Sequence, residues 1–367
     1  MSIYFDNAAT APAIKINEES SFGNPSSPHI IGLQAERKLG KARDVFASVL
    51  GCAENEIVFT SGGTESNNIA LIGAAMANRR REICFFAEPW AHPSVLEPLR
   101  FIQEQELAEV KLTALDNLEN LPDTSKINIF SLLAVNHETG DINDISKMAK
   151  NIKEKFPTAI IHVDGVQGFC KEDINIADVN MYSFSAHKVH GVDGAGGLFI
   201  RNGTKILPLM FGGGQERGLR PGTENVGGIF SFSQTVEFLK ANQTKNRALV
   251  SEIYEIIKSI QDELTDVFIN NRGGKASPYI LNMSFLGING ETLVHLLSER
   301  GVYASMGAAC KSRKKVKTSL ELMGFAPERV QSAVRFSFSA LNTVDEANHA
   351  KAIIIDAVNQ LRRMLRR

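Results

Sequence analysis

Several things are scarce or missing in this sequence, and each absence narrows the field. No stretch of about 18 apolar residues occurs, so no membrane-spanning helix is expected. The opening, MSIYFDNAAT, has no basic start followed by an apolar run, so no secretory leader is expected either. Cysteine is rare. Cys52, Cys84, Cys170 and Cys310 lie far apart and form no CxxC pair. That argues against a disulfide framework or a structural zinc site and fits a reducing, cytoplasmic compartment. An excess of one charge is also missing: 40 Lys and Arg against 41 Asp and Glu leave a net charge of −1. The whole chain therefore offers no electrostatic case for binding nucleic acid or a membrane surface. No internal repeat or low-complexity tract appears.

What is present is an ordinary globular composition, with 43% apolar and 22% charged residues. A length of 367 residues suggests two domains. From about 55 to 200, short apolar runs alternate with helical patterns. The runs are 56–60, 82–87, 127–135, 159–164, 180–185 and 196–200, and the helix candidates are 65–78, 93–105 and 144–155. Several runs are continuously apolar, as strands buried on both faces are. This rhythm predicts an α/β fold with a mostly parallel open sheet covered by helices. After about 235 the character changes. A long helical pattern at 230–266, broken near Asn242, precedes strands at 279–285 and 333–338 and helices from Gly290 and Thr343. The expected division is a large domain over 13–235 and a smaller α+β domain over 236–367, joined by residues 1–12.

Six segments carry candidate chemistry. In TSGGTESNN (60–68) a strand ends, glycines turn the chain and a helix begins. Such a helix N-terminus suits a phosphate, with Thr64 as an added donor. The same letters also spell a capping box with Ser61 or Thr64 as cap. Asp164 follows an apolar strand, where open α/β sheets place functional groups. It can face a cation such as a pyridinium nitrogen, or cap the next turn. Lys188 also follows a strand and can form a Schiff base or lie solvated, with Ser185 and His187 just before it. The glycine- and arginine-rich stretch 212–225 is too polar for core; Arg217, Arg220 and Thr223 can serve anions, or the stretch is a connector. Cys310 sits among small residues, and five of the next seven residues are Lys or Arg, which lowers a thiol pKa. Arg335 interrupts the apolar strand AVRFSF (333–338) and needs an acidic partner, either a substrate carboxylate or an internal Asp or Glu.

In order, FDNAAT (5–10), FGNPSSPH (22–29), TSGGTESNN (60–68), HPSV (92–95), NHETG (136–140), HVDGVQ (162–167), SFSAHK (183–188), GGGQERGLRPGTEN (212–225), GAAC (307–310) and RFSFS (335–339) closely resemble the class V aminotransferase superfamily. Within it they resemble the cysteine desulfurases of the NifS/IscS type. The resemblance covers nearly the whole chain. It implies a fold-type I enzyme that binds pyridoxal 5'-phosphate, works as a homodimer, and takes sulfur from L-cysteine. The products would be L-alanine and an enzyme persulfide for a sulfur-acceptor or iron–sulfur scaffold protein. By matching position, Lys188 resembles the Schiff-base lysine and His92 the imidazole stacked on the cofactor ring, a proton carrier. Asp164 resembles the pyridinium partner and Gln167 the donor to the phenolic oxygen. Gly63, Thr64, Ser185 and His187 resemble the phosphate cup, with Thr223 reaching the neighbouring subunit's phosphate. Asn24 and Arg335 resemble the carboxylate clamp, and Cys310 the persulfide carrier.

Three departures stand out. His137 replaces the second of two asparagines, at a position that contacts cofactor and substrate. The segment between Pro12 and Phe22 is short. KSRKKVK replaces the small, polar sequence after Cys310. The resemblance also admits a transaminase, a selenocysteine lyase-like enzyme or a non-catalytic paralogue that binds a sulfur-transfer partner. No metal site is expected, because His29, His92, His162, His187 and His190 show no helix-face HxxxH spacing.

Overall fold

The structure, a computed structural model, describes residues 2–14, 22–116, 118–122, 126–306 and 317–365. It divides into two compact units. One comprises Pro12–Ala134 and Asn143–Ala241; the other comprises Met1–Ala11, Val135–Ile142 and Asn242–Arg367. Among the described residues, no helix is long and apolar enough to cross a membrane.

The larger unit is built on a seven-stranded sheet. Its spatial order is Ile57–Thr60, Gly196–Ile200, Met181–Ser185, Ile160–Asp164, Ile127–Leu133, Ile83–Ala87, Glu109–Leu112. The strands from Met181–Ser185 to Glu109–Leu112 run parallel, and Gly196–Ile200 is antiparallel to both its neighbours. Continuous burial along ICFFA and MYSFS, and along IIHVD from Ile161 onward, follows from helices on both faces. Gly63–Asn78 and Pro93–Glu104 cover one face through Ile69, Ala70, Ala74, Val95 and Leu99. On the other face Phe46, Phe59, Phe169, Phe184 and Phe232 form one aromatic cluster, with Phe169 and Phe184 stacked at 4.7 Å and Phe46 4.8 Å from Phe232.

The apolar rhythm overlooked one long helix, Ile30–Leu50, which carries Phe46 into that cluster. Its buried face is Gly32, Ala35, Leu39, Ala42, Phe46 and Ala47. Those residues recur at helical spacing, but half are alanine, which gives a weak apolar signal. The helix ends at Gly51, whose φ of 66° suits glycine, and the amide of Gly51 caps the carbonyl of Ala47.

In the smaller unit, Ile280–Phe285 lies between Ala333–Ser337 and Val267–Ile269, antiparallel to both. Ile3–Tyr4 pairs in parallel with Val302–Tyr303, and Asp6 bridges to Ser337. Helices Gln243–Lys258, Gly290–Glu299 and Val344–Leu365 bury Ile253, Leu293 and Ile354 in the core of this unit. The loop 135–142 also belongs here: Asp141 bridges to Ala276, and the Asn282 amide donates to the Glu138 carbonyl at 3.1 Å.

One core histidine makes the larger unit sensitive to acid. His162 is fully buried, with Nδ1 3.0 Å from Ser131 Oγ and Nε2 3.0 Å from Ser183 Oγ. Burial pushes its pKa from 6.5 down to about 3. Between those values the unfolded chain binds a proton that the folded chain does not, so stability falls on acidification by about 1.4 kcal/mol per pH unit. Below about 3 this contribution is constant. Urea unfolding at a series of pH values should therefore show His162→Asn, less stable at neutral pH, losing stability less steeply than the wild type across that window.

Candidate active site

The larger unit gathers its polar groups at one sheet edge. Asp164 and Ser185 are the last residues of parallel strands, and Gly196 opposes both Ser185 and Thr60 in register. The turn after Thr60 then starts the helix at Gly63 with φ 152° and ψ −176° at Gly62, a conformation open to glycine alone. A Cβ at Gly63 would lie 2.4 Å from a Val166 methyl, and one at Gly196 2.5 Å from the Gly62 Cα. Gly62 offers no side-chain cap, so the capping-box reading of Ser61 and Thr64 is not what forms. Thr64 is exposed on the first helical turn. Ser185 Oγ is buried and, among the described residues, has no hydrogen-bond partner. Such an orphan hydroxyl costs free energy unless something supplies a partner. His187 and Lys188 follow in the turn Ala186–Lys188, both half-buried. Burial, reinforced by the neighbouring Lys188 charge, pulls the His187 pKa to about 4, so its ring is neutral near pH 7.

Asp164 is buried and accepts from Asn67 Nδ2 at 3.0 Å and from the Val166 amide at 3.1 Å. Both donors are neutral, so a carboxylate charge sits there with no cation described beside it. His92 caps the helix Pro93–Glu104; its Nδ1 accepts from the Ser94 amide at 3.1 Å and lies 2.8 Å from Ser94 Oγ. Its pKa is lowered, first by burial and also by Lys188, with Asp164 opposing. Gln167 is buried in the turn after Asp164, its Oε1 3.5 Å from Lys171 Nζ. Thus Gly63, Ser185, His187, Lys188, Asp164, Gln167 and His92 all cluster at or just beyond the strand ends of one unit.

Other expected residues stand apart. Thr223 is exposed on its loop. In that loop Arg220 pairs with Glu65 at 3.1 Å, and Glu216 is held by Arg43 and by the Phe59 amide. Asn24 is exposed, and its Oδ1 accepts from the Ser26 amide at 3.0 Å. Cys310 lies outside the described residues. The remaining thiols are shifted away from reactivity: burial raises Cys84, takes Cys52 to about 11 and takes Cys170 to about 12. Among the described residues no group of three or more His, Cys, Asp or Glu could hold a metal ion.

The smaller unit resolves the choice left open for Arg335. Its Nη2 pairs with Asp6 at 2.9 Å and its Nη1 donates to the His137 carbonyl at 2.8 Å. An internal acid therefore balances the charge, yet among the described residues Nε is buried without a partner. His137 is itself buried, with Nε2 3.8 Å from Glu138 Oε1, and Glu138 Oε2 accepts from the Ser319 amide at 3.0 Å. Reading the sequence assigned no role to Asp6, Asn67 or Ser94, although each lies inside a quoted motif. Only a tertiary structure shows which side chains they meet. Asp6→Ala should leave the buried guanidinium uncompensated and cost about 3 kcal/mol in chemical denaturation, with Asp6→Asn costing less.

Comparison with known proteins supplies the setting for this geometry. A family model described as Aminotransferase class-V matches residues 3–349. The protein called Cysteine desulfurase IscS from Dictyoglomus turgidum is 31% identical over 379 residues, covering 98% of this chain and 95% of its own length. The one from Methanosarcina thermophila is 32% identical over 381 residues, covering 99% and 93%. A solved structure described as a NifS-like protein superposes with a TM-score of 0.90 at 32% identity, covering 98% of this chain and all of that one.

Proposed function

The chain belongs to the aminotransferase class-V family, and on that premise we propose that it is a cysteine desulfurase dependent on pyridoxal 5'-phosphate. It would take the sulfur of L-cysteine, release L-alanine and keep the sulfur as a persulfide on Cys310. The observation that carries this reading is the edge of the larger sheet, where a buried carboxylate with neutral donors, an orphan hydroxyl and Lys188 come together.

The residues fit the cofactor. The Ser185 hydroxyl lacks a partner that a phosphate oxygen would supply, and the tight Gly62–Gly63 turn opens a helix whose first amides suit an anion. Thr64 and His187 flank that cup. Asp164, which accepts from two neutral donors, would face a protonated ring nitrogen, with Gln167 toward the phenolic oxygen and His92 toward the ring face. Lys188 would hold the aldehyde carbon covalently. When bound, the cofactor supplies an electron sink for charge developing at the substrate Cα.

The chain's own groups do the rest. The Lys188 amine, when free, would take the Cα proton. Arg335 holds the substrate carboxylate through the donor capacity that Asp6 and the His137 carbonyl leave over, with Asn24 assisting. His137, in place of an asparagine, lines the same substrate. The Cys310 thiolate, favoured by the basic run from Lys311 to Lys317, attacks the substrate sulfur. The Cβ–S bond breaks, its electron pair stays with carbon, and a proton replaces sulfur at Cβ. Gly307, Ala308 and Ala309 give the approach to Cys310 little side-chain bulk, which suits delivery of the sulfur to an acceptor protein. The enzyme would work as a homodimer in the cytoplasm, with Thr223 of each copy serving the other's phosphate.

Two variants test this reading. The purified protein should absorb at the edge of the visible and shift on adding cysteine; Lys188→Ala should remove the borohydride-fixable cofactor. Cys310→Ser should keep that absorption yet lower alanine release by about three orders of magnitude or more. A colourless protein that takes up no cofactor would overturn the proposal, as would undiminished turnover in Cys310→Ser.

A further inference from the structure

Two side chains join Asp164 to His92. Asn67 is completely buried between them. Its Nδ2 lies 3.0 Å from Asp164 Oδ2 and 2.9 Å from Ser94 Oγ, and Ser94 Oγ lies 2.8 Å from His92 Nδ1. All four residues sit in the larger unit.

The proton positions in this chain follow from what each group is able to do. The Ser94 backbone amide, 3.1 Å from His92 Nδ1, can only donate. Nδ1 is therefore the unprotonated nitrogen, and the ring's proton is on Nε2. The Ser94 hydroxyl must then donate to Nδ1 as well, which leaves its oxygen to accept from Asn67. A carboxylate only accepts, so Asn67 turns its amino group toward Asp164 and gives its second N–H to Ser94. The opposite placement of the amide would set two oxygens against each other. The orientation has a cost, set against the two bonds that Nδ2 makes: among the described residues Asn67 Oδ1 is buried without a partner.

We propose that Asn67 and Ser94 are positioning residues: a one-way hydrogen-bond chain anchored on Asp164 locks His92 as a neutral imidazole with its proton on Nε2. The consequence rests on the function proposed above. A ring whose Nδ1 is doubly occupied and whose Nε2 is already protonated cannot act as a base. His92 then meets the reacting groups as a hydrogen-bond donor, and the proton transfers fall to Lys188. This departs from the proton-carrier role that the family resemblance suggests. Two charges reach His92, Asp164 from the strand end and Lys188 from the turn; they oppose each other, and burial prevails to favour the neutral ring.

The test is long-range ¹H–¹⁵N NMR on the histidine-labelled holoenzyme, followed through a pH titration, with His92 assigned by its loss in His92→Asn. The wild type should show Nε2 protonated and Nδ1 unprotonated throughout the neutral range. Asn67→Ala never touches His92, yet it frees the Ser94 hydroxyl to turn and accept from a protonated Nδ1. It should therefore raise the His92 pKa by about one pH unit. Ser94→Ala should raise it as well, and Ser94→Thr should restore the wild-type value. A proton on Nδ1 in the wild type would overturn the inference. So would an unchanged His92 titration in Asn67→Ala, or in Ser94→Ala should the first variant fail to fold. The readout is the state of one ring, so it can fail while desulfurase activity stands, and the reverse.

Discussion

A negative charge buried at the end of a strand governs the larger unit. Asp164 is held by two neutral N–H donors in a setting where an unpaired carboxylate is costly. Much of the surrounding architecture bears on that point. The parallel strands place Asp164 at the sheet edge, the helix beginning at Gly63 delivers Asn67 to it, and the turn after Ser185 brings Lys188 close enough to shift His92. A cationic ring nitrogen would complete the charge balance. The fold thus prepares an electrostatic site whose stability and chemistry depend on the same group.

The smaller unit handles the opposite sign in a different way. Arg335 is buried within a strand and is compensated from inside by Asp6, so its charge is tolerated before any ligand arrives. Two of its donors are committed and Nε is not. Pre-compensation of this kind keeps the guanidinium in one orientation, which reduces the ordering needed when a carboxylate binds.

How much of this could be read in advance depended on the type of signal. Buried strands announce themselves by unbroken apolar runs, and ICFFA and GGLFI were legible for that reason. Glu109–Leu112, an edge strand with two charges in four residues, has no such run and went unread. The helix Ile30–Leu50 escaped because alanine and glycine make much of its buried face. In the site, residues with distinctive chemistry, such as Lys188, Asp164 and His92, stood out at strand ends. Asn67, Ser94 and Asp6 did not. Their importance lies in a partner far along the chain, 97 residues away for Asn67 and 329 for Asp6, and no local pattern encodes such a partner.

The pairing of the first strand with the last third of the chain has a kinetic side. Ile3–Tyr4 finds its partner only at Val302–Tyr303, and the amide of Ser337 donates to the carbonyl of Phe5. Closing loops of that length is entropically costly and slow. During synthesis Ile3 and Tyr4 must therefore wait, unpaired, while the roughly 300 residues that separate them from their partner strand are made. A ribosome that stalls before the final strand leaves both the N-terminal edge and the Arg335 strand's neighbours exposed. Such a truncated product would be marked for proteolysis by its own unfinished seam.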